Sequence, residues 1–404
     1  MRSVRTKSLC AASLFAFTLV AASCASAPLA YPSPHTGGVN PDLAAGASSA
    51  AYVSPGPYAA AVTTVEIESG RKMEVWYPTP KAGAVGQTPD TYNLRSFLPA
   101  VITDTLPVSI QPTFTTDGFR ELPAAPGGPF PMVLFSHGAI SYRLQSSFLT
   151  THLASWGFVV ISPDYFERGI QTLLGIAPSP AAGRTSEQVT QLAVAAAIAL
   201  NTGAGTLAGK IDTSRLFPIG HSAGGSQSTS LAGTRTDVQS WIAMSAGVNL
   251  NPTIFNLNPT VPASLANPDK PVMWITGAND GVAGLDSVNN GYNYSAGERK
   301  LVTVPLSGHN NAMTDICEIA RPEGGLVGLA ASAGLFFPDF VTNLANDGCA
   351  SPPFYTGPQV WPIVRHFVTA ELRYRSGLDA QPVGLGADVV NQLGPIVPFY
   401  KHSE

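Results

Sequence analysis

Short apolar runs alternate with segments of helical pattern from about residue 130 onward. The runs lack the alternation of a half-exposed strand, so we interpret them as strands buried on both faces of a parallel sheet. These predicted strands are residues 132–135, 158–162, 216–219, 241–244, 272–276 and 301–304. Helices are predicted at residues 145–156 and 186–200, from Ser222 onward, and at 360–374. Such alternation favours one doubly wound α/β domain with a mostly parallel sheet.

A different pattern precedes this region. Residues 64–68 alternate polar and apolar side chains, Ser69 and Gly70 favour a turn, and residues 73–77 form a second run, which predicts an N-terminal antiparallel hairpin. Residues 78–128 are rich in Pro and Thr without a sustained period, and we interpret them as an excursion over the surface. The predicted catalytic domain spans residues 58–376, and 377–404 form a C-terminal tail.

The first 57 residues have the pattern of an export signal followed by a tether, and we do not expect them to belong to the folded domain. Three basic residues precede the apolar stretch 9–22, which is too short to span a bilayer and is typical of a signal peptide. Small residues before Cys24 resemble a lipoprotein signal, so we expect residues 1–23 to be removed and Cys24 to be lipidated. Ordinary cleavage after Ala25 or Ala27 is the alternative. Residues 24–57 are predicted to be a flexible tether, and the protein is expected in the cell envelope or secreted.

The amino-acid composition argues against some classes of protein. Charged residues make up 12% and apolar residues 45% of the 404 residues, which excludes a chain disordered through high charge. The formal net charge of −4 and the lack of basic runs argue against nucleic-acid binding. In an exported chain, Cys317 and Cys349 are expected to form a disulfide, with two buried thiols as the alternative. Neither cysteine has the spacing of a zinc site.

Residues 220–225 read Gly-His-Ser-Ala-Gly-Gly and contain the G-x-S-x-G pattern. The pattern follows a predicted strand and opens a predicted helix, the context in which a serine is lifted into a cleft as a nucleophile. We therefore predict Ser222 as the nucleophile and the N–H of Ala223 as an oxyanion donor at the helix N-terminus. An incidental serine in a glycine-rich turn is the alternative.

A serine nucleophile needs a base and an acid that orients the base. In the α/β-hydrolase order the base follows the acid, and we choose His309, in the loop after strand 301–304, over His366 in the last helix and His402 in the tail. His221, beside the nucleophile, is interpreted as a packed residue. No metal or cofactor is expected.

Asp280 follows strand 272–276 and is predicted to be the acid, with Asp286 in the same loop as the alternative. Asp164 and Asp212 precede the nucleophile and fit less well. The second oxyanion donor should come from the loop after the first buried strand, where we predict the N–H of Ala139.

Several of these stretches together resemble one family. Residues 135–138, 153–160, 219–225 and 299–309 resemble α/β-hydrolases of the platelet-activating-factor acetylhydrolase type, and related bacterial cutinases and polyester hydrolases. The resemblance implies the α/β-hydrolase fold and hydrolysis of short or accessible acyl esters by a metal-free Ser/Asp/His triad. These roles fall on Ser222, Asp280 and His309, with Ala139 and Ala223 as oxyanion donors. An alanine at position 223 is smaller than the residue usual there.

Residues 310–350 form a predicted insertion closed by the Cys317–Cys349 pair. Phe336, Phe337 and Phe340 are predicted to line an acyl or aromatic pocket, or alternatively only to pack the insertion on the core. Residues 141–143 are placed where they could also reach the cleft. No basic cluster indicates an anionic substrate, so a neutral ester is expected.

The sequence therefore predicts an exported serine carboxylic-ester hydrolase that acts through an acyl-enzyme on a small or polymeric ester. Short acyl or acetyl esters are the first expectation. One alternative is another hydrolase on this fold, acting on polyester or cutin, amides or lactones. A second alternative is a non-catalytic surface lipoprotein, which would require a broken triad. We expect a monomer, attached to the membrane only if Cys24 is lipidated.

Overall fold

The computed structural model describes residues 46–404 except Ala47, Pro99, 170–182 and 251–259. The predicted signal peptide, the lipidation at Cys24 and most of the predicted tether lie outside the described residues. Within these ranges, no helix is both long enough and apolar enough to cross a bilayer.

Ten strands of the described chain form one mixed sheet in the order β12-β11-β10-β9-β8-β6-β7-β2-β1-β5. The strands are β1 (Ala59–Glu68), β2 (Arg71–Thr79), β5 (Gly118–Arg120), β6 (Phe130–Ser136), β7 (Val159–Pro163), β8 (Ile211–His221), β9 (Trp241–Met244), β10 (Val272–Gly277), β11 (Arg299–Val304) and β12 (Phe399–Ser403); β3 (Thr91–Asn93) and β4 (Thr113–Thr115) pair separately. From β7 to β11 every pairing is parallel. The predicted α/β-hydrolase architecture is confirmed.

The central strands are buried on both faces, as their continuous apolar runs predict. Along β6, Val133 and Phe135 enter one apolar core, whereas Met132 and Leu134 enter the other. The helices are α1 (Lys81–Ala84), α2 (Ala100–Thr103), α3 (Ser147–Ser155), α4 (Ser186–Thr202), α5 (Ala223–Thr234), α6 (Leu285–Tyr294), α7 (Gly325–Ser332), α8 (Asp339–Asn346) and α9 (Gly357–Ser376). Side chains of α3 and α9 fill the first core, and those of α4, α5 and α6 fill the second.

The N-terminal hairpin is confirmed, with β1 antiparallel to β2. Gly70 takes a φ of +76° in its turn, a value that glycine adopts without strain. The segment after the hairpin differs from the predicted surface excursion. Its β5 adds to the sheet beside β1, and its Tyr92 and Phe97 are buried in the core.

Both ends of the described chain also differ from their predicted roles. Tyr52, in the predicted tether, is only 4% exposed, and its ring packs edge-on against Trp156 at 4.9 Å. The predicted C-terminal tail contributes β12, which pairs antiparallel with β11 at the sheet edge. The sequence did not reveal these contacts. Tyr52 is a single aromatic residue, and β12 is a five-residue strand of mixed polarity that is too short to show a periodic pattern.

The Cys317–Cys349 disulfide is present in the structure. It joins the two ends of a segment that contains α7 and α8. This segment was predicted as an insertion, and the disulfide holds its two ends to each other beside the loop that carries His309.

Buried charges connect the last helix to the sheet. Lys300 of β11 and Glu371 of α9 are each 1% exposed, and the Lys300 Nζ lies 3.0 Å from the Glu371 carboxylate. Arg375 donates to the other Glu371 oxygen at 2.8 Å and also pairs with Glu298. Because each charge here is compensated by a neighbour, α9 is tied to the strand that leads to His309.

Glu371→Leu should lower the free energy of unfolding by about 3–5 kcal/mol, because it leaves the buried Lys300 ammonium with one fewer carboxylate. The double variant Lys300→Met/Glu371→Leu should recover part of that loss. Urea unfolding followed by circular dichroism measures both. Equal destabilisation by the single and double variants would contradict a compensated charge cluster at this position.

Candidate active site

The carboxyl ends of β6, β8, β10 and β11 lie along one edge of the sheet. The loops that follow them carry, in turn, Ala139, Ser222, Asp280 and His309. In open α/β sheets this edge is where ligands bind. The parallel pairing of these strands therefore brings together residues that are up to 170 positions apart in the sequence.

Ser222 lies on a strained turn between β8 and α5. Its φ of 55° and ψ of −121° are unusual for a residue with a side chain. The turn needs glycine two residues before and two residues after Ser222, at Gly220 and Gly224. A Cβ at Gly220 would lie 2.2 Å from the Gly224 carbonyl oxygen, and one at Gly224 would lie 1.8 Å from the Ser136 carbonyl oxygen. The glycine spacing of the motif is thus a packing requirement.

In the loop after β6, the N–H groups on either side of Ala139 are bound within the protein. Gly138 donates its N–H to the Gln145 side chain at 3.0 Å, and Ile140 donates to the Arg168 carbonyl at 2.7 Å. The N–H of Ala139 between them has no acceptor among the described residues, and neither has the N–H of Ala223. Ile140 has a φ of 55°, a strained value for a β-branched residue. Both predicted donors therefore adjoin Ser222 with unused hydrogens.

His309 and Asp280 form a buried pair. The His309 Nδ1 lies 3.0 and 3.1 Å from the two carboxylate oxygens of Asp280. The other ring nitrogen, Nε2, is buried and has no hydrogen-bond partner in the described part of the chain. Because His309 lines the same cavity as Ser222 and Ala139, this nitrogen is available to a hydroxyl or a reacting group in that cavity.

Asp280 is held in its charged form. Burial opposes ionisation, but His309 and the N–H groups of Val282 and Ala283, at 2.9 and 2.8 Å, lower the pKa of Asp280 to about 2. A carboxylate in this position fixes the imidazole tautomer and stabilises the imidazolium. The alternative acid, Asp286, is an exposed residue in the first turn of α6. Asp280, and not Asp286, is the carboxylate that contacts the His309 imidazole.

His221, next to the nucleophile, acts on the base through the backbone. Burial lowers the pKa of His221 to about 3, so its ring is neutral at ordinary pH. Its Nε2 lies 2.9 Å from the His309 carbonyl and its Nδ1 lies 3.0 Å from the Gln145 amide nitrogen. Since the Gln145 oxygen already accepts from Gly138, the amide nitrogen donates to Nδ1 and the His221 Nε2–H donates to the carbonyl.

Gln145 was not predicted from the sequence, although it is fully buried between two parts of the site. It contacts the oxyanion loop through Gly138 and the nucleophile turn through His221. The sequence offered one signal for Gln145: it lies six residues after Ala139, at the start of the predicted helix. An amide with both a donor and an acceptor is suited to join these two elements.

Asp347, at the end of the disulfide-closed segment, is a second residue that the sequence did not reveal. Its carboxylate accepts the N–H of His309 at 2.6 Å and the N–H of Gly281 at 2.9 Å. Burial raises the pKa of Asp347, and the charge of Asp280 adds to that effect. The carboxylate joins the backbones of the base loop and the acid loop, so the insertion helps to position the triad.

The remaining predicted site residues fall in different places. Ser141 and Tyr142 line the cavity with Ser222, whereas Arg143 forms ion pairs with Glu74 and Asp164. Of the three phenylalanines, Phe337 lines a second, adjoining cavity. Phe336 is 84% and Phe340 39% exposed, and neither lines the cavity with Ser222 or the adjoining one, which corrects their predicted place. They lie on the outer side because Leu326, Val341 and Ala345 fill the inner side of this segment.

The other candidate histidines lie apart from Ser222. His366 is within α9 with its Nε2 2.9 Å from the Gly384 carbonyl, and His402 pairs with Glu298 at the sheet edge. Among the described residues, no three His, Cys, Asp or Glu side chains are grouped so as to hold a metal ion.

Comparison with known proteins identifies the family. The family model of PETase, described as PET hydrolase-like, matches residues 88–300, more than half of the chain. The chain therefore belongs to the PET hydrolase-like family, and the predicted resemblance to the α/β-hydrolase group of cutinases and polyester hydrolases is confirmed. Family membership implies a hydrolase that acts on esters. The match includes Ser222 and Asp280 and ends before His309. No curated protein matches the chain.

Asp280→Asn should lower kcat by about 10³–10⁴-fold, because a neutral amide neither fixes the His309 tautomer nor stabilises the imidazolium. Hydrolysis of p-nitrophenyl acetate measures the loss. Asp286→Asn is the matched control, since Asp286 lies in the same loop region and is exposed. A large loss in the Asp286 variant with normal activity in the Asp280 variant would reverse the assignment.

Proposed function

We propose that this chain is a serine carboxylic-ester hydrolase that acts through an acyl-enzyme on a neutral ester. One observation carries the proposal: Ser222, His309 and Ala139 line a single cavity, and neither the His309 Nε2 nor the Ala139 N–H has a hydrogen-bond partner among the described residues. Membership of the PET hydrolase-like family supports the ester chemistry. A non-catalytic protein would have no need of this combination of groups.

In the proposed reaction, the Ser222 hydroxyl attacks the ester carbonyl while the Nε2 of His309 takes its proton. The carbonyl oxygen becomes an oxyanion and accepts the N–H groups of Ala139 and Ala223. His309 then passes the proton to the departing alcohol, which leaves the acyl group on Ser222. Water, activated by the same nitrogen, releases the acid and restores the serine. Asp280 remains a carboxylate throughout.

The cavity supports an uncharged substrate. No Lys, Arg, Asp or Glu side chain lines it within the described residues. Its walls are mainly aliphatic and aromatic, with Gln145 and Asn310 among the few polar side chains. A charged ester group would lose its hydration there without gaining a counter-ion. A polymeric ester is the second candidate substrate, favoured by membership of the PET hydrolase-like family.

We also propose that the protein is exported as a monomer and is attached to a membrane through a lipid on Cys24. The proposal is supported by the basic start, the apolar stretch 9–22 and the small residues before Cys24. Export suits an enzyme with a structural disulfide, since oxidising compartments keep such bonds formed.

Ser222→Ala should lower kcat on p-nitrophenyl acetate by about 10⁴–10⁶-fold, because the acyl-enzyme can no longer form. A fluorophosphonate probe should label the wild-type protein and leave this variant unlabelled. Ser226→Ala is the control, since Ser226 is exposed one turn further along α5. Normal turnover by the Ser222 variant would refute the proposed function.

A panel of a simple ester, an anilide, a lactone and a polyester film then separates the related hydrolases. Preferential release of soluble products from the film would favour the polymeric substrate. Cleavage of the anilide at a rate similar to that of the ester would contradict a carboxylic-ester hydrolase.

A further inference from the structure

A second cavity adjoins the one that contains Ser222. The two cavities lie next to each other, because six residues line both of them: Leu94, Leu98, Ile140, Leu326, Val341 and Ala345. The second cavity is partly open to solvent. We propose that it is the binding site for the aliphatic acyl chain of the ester, and that medium- and long-chain acyl esters are the preferred substrates.

The lining chemistry supports an aliphatic chain. Every residue that lines the second cavity among those described is apolar, including Leu106, Ile110, Leu329 and Phe337. No side-chain hydrogen-bond donor or acceptor is offered to a ligand there. A polymer that continued into this space would bring further ester carbonyls into it, and an unpaired buried polar group costs about 1–3 kcal/mol. A saturated chain carries no such group.

The segment that covers this space has an unusual composition. Residues 324–338 contain no charged side chain, and α7 within it reads Gly-Leu-Val-Gly-Leu-Ala-Ala-Ser. A surface helix ordinarily alternates an apolar stripe with charged positions. Gly325 is the only buried residue of α7. Leu326 and Leu329 are only half-buried, although they are the large apolar side chains of an uncharged helix. A bound acyl chain would cover the inner surface that the fold leaves only partly packed.

The cover is fixed at its ends. The Cys317–Cys349 disulfide closes it, and the Asn310 amide donates to the Leu344 carbonyl at 2.7 Å. The opposite wall comes from the segment after the hairpin, which supplies Leu94, Leu98 and Leu106. The disulfide-closed segment and the segment after the hairpin thus enclose the second cavity together.

This inference rests on the proposed ester hydrolysis and specifies its substrate. The test measures kcat/KM for p-nitrophenyl esters from acetate to laurate, each below the concentration at which it aggregates. Each methylene that enters an apolar site should raise kcat/KM about fourfold, equivalent to about 0.8 kcal/mol. The wild-type protein should therefore favour decanoate over acetate by at least tenfold.

Ala330 provides the discriminating variant because it lines the second cavity and not the first. Ala330→Trp should lower the ratio of kcat/KM for decanoate over acetate by at least tenfold. Ala331→Trp is the matched control, since Ala331 is the next residue of α7 and is exposed. The control should keep the wild-type ratio. Diethyl terephthalate, a rigid aromatic diester, serves as the comparison substrate.

Three results would overturn the inference. The first is a wild-type kcat/KM that stays constant or falls as the acyl chain lengthens, while acetate hydrolysis still depends on Ser222. The acyl-chain inference would then be wrong and the proposed ester hydrolysis would remain. The second is an equal loss on decanoate and diethyl terephthalate in Ala330→Trp. The third is the absence of hydrolysis for every ester, which would remove the proposed function as well. The wild-type chain-length profile tests the inference even if the tryptophan variant does not fold.

Discussion

The close backbone packing around Ser222 is the constraint on which the site depends. Strand β8 must end against α5 at a distance where the carbonyl oxygens of Ser136 and Gly224 leave no room for a Cβ at Gly224 or Gly220. At this close approach Ser222 has a φ of 55°, and the N–H of Ala223 has no acceptor in the part of the chain that the structure describes. The surrounding sheet, buried on both faces, supplies the rigidity that maintains such strain. The nucleophile and one oxyanion donor are therefore consequences of one packing contact.

A second set of contacts places the base by its backbone. The His309 carbonyl accepts from His221 and its N–H donates to Asp347, while its ring is held by Asp280. Both sides of the peptide and one ring nitrogen are thus fixed, which leaves Nε2 as the free acceptor. Gln145 links His221 to the oxyanion loop, so hydrogen bonds connect the loops that carry Ala139, Ser222 and His309. Efficient proton transfer requires such fixed geometry.

The sequence predicted the parallel core and pointed to Ser222, Asp280 and His309 because the signals for these features are local. Apolar runs indicate buried strands, and a glycine-spaced serine after a strand indicates the nucleophile turn. Gln145 and Asp347 could not be predicted, because a buried amide or carboxylate is identified by partners that are distant in sequence. The predicted place of Phe336 was wrong for a related reason. An uncharged segment indicates that apolar surface is present, but it does not indicate which side chains face inward. Edge strand β12 is too short for a periodic signal.

The disulfide-closed segment contributes to the chemistry and to the binding space at once. Asp347 at its end joins the acid and base loops, and α7 and α8 between its cysteines form the wall of the second cavity. An acyl chain seated against α7 would therefore press on the same segment that positions His309. This coupling gives a physical reason for closing the segment with a covalent bond. A cover fixed at its ends can pack against the ligand along its middle without displacing the base.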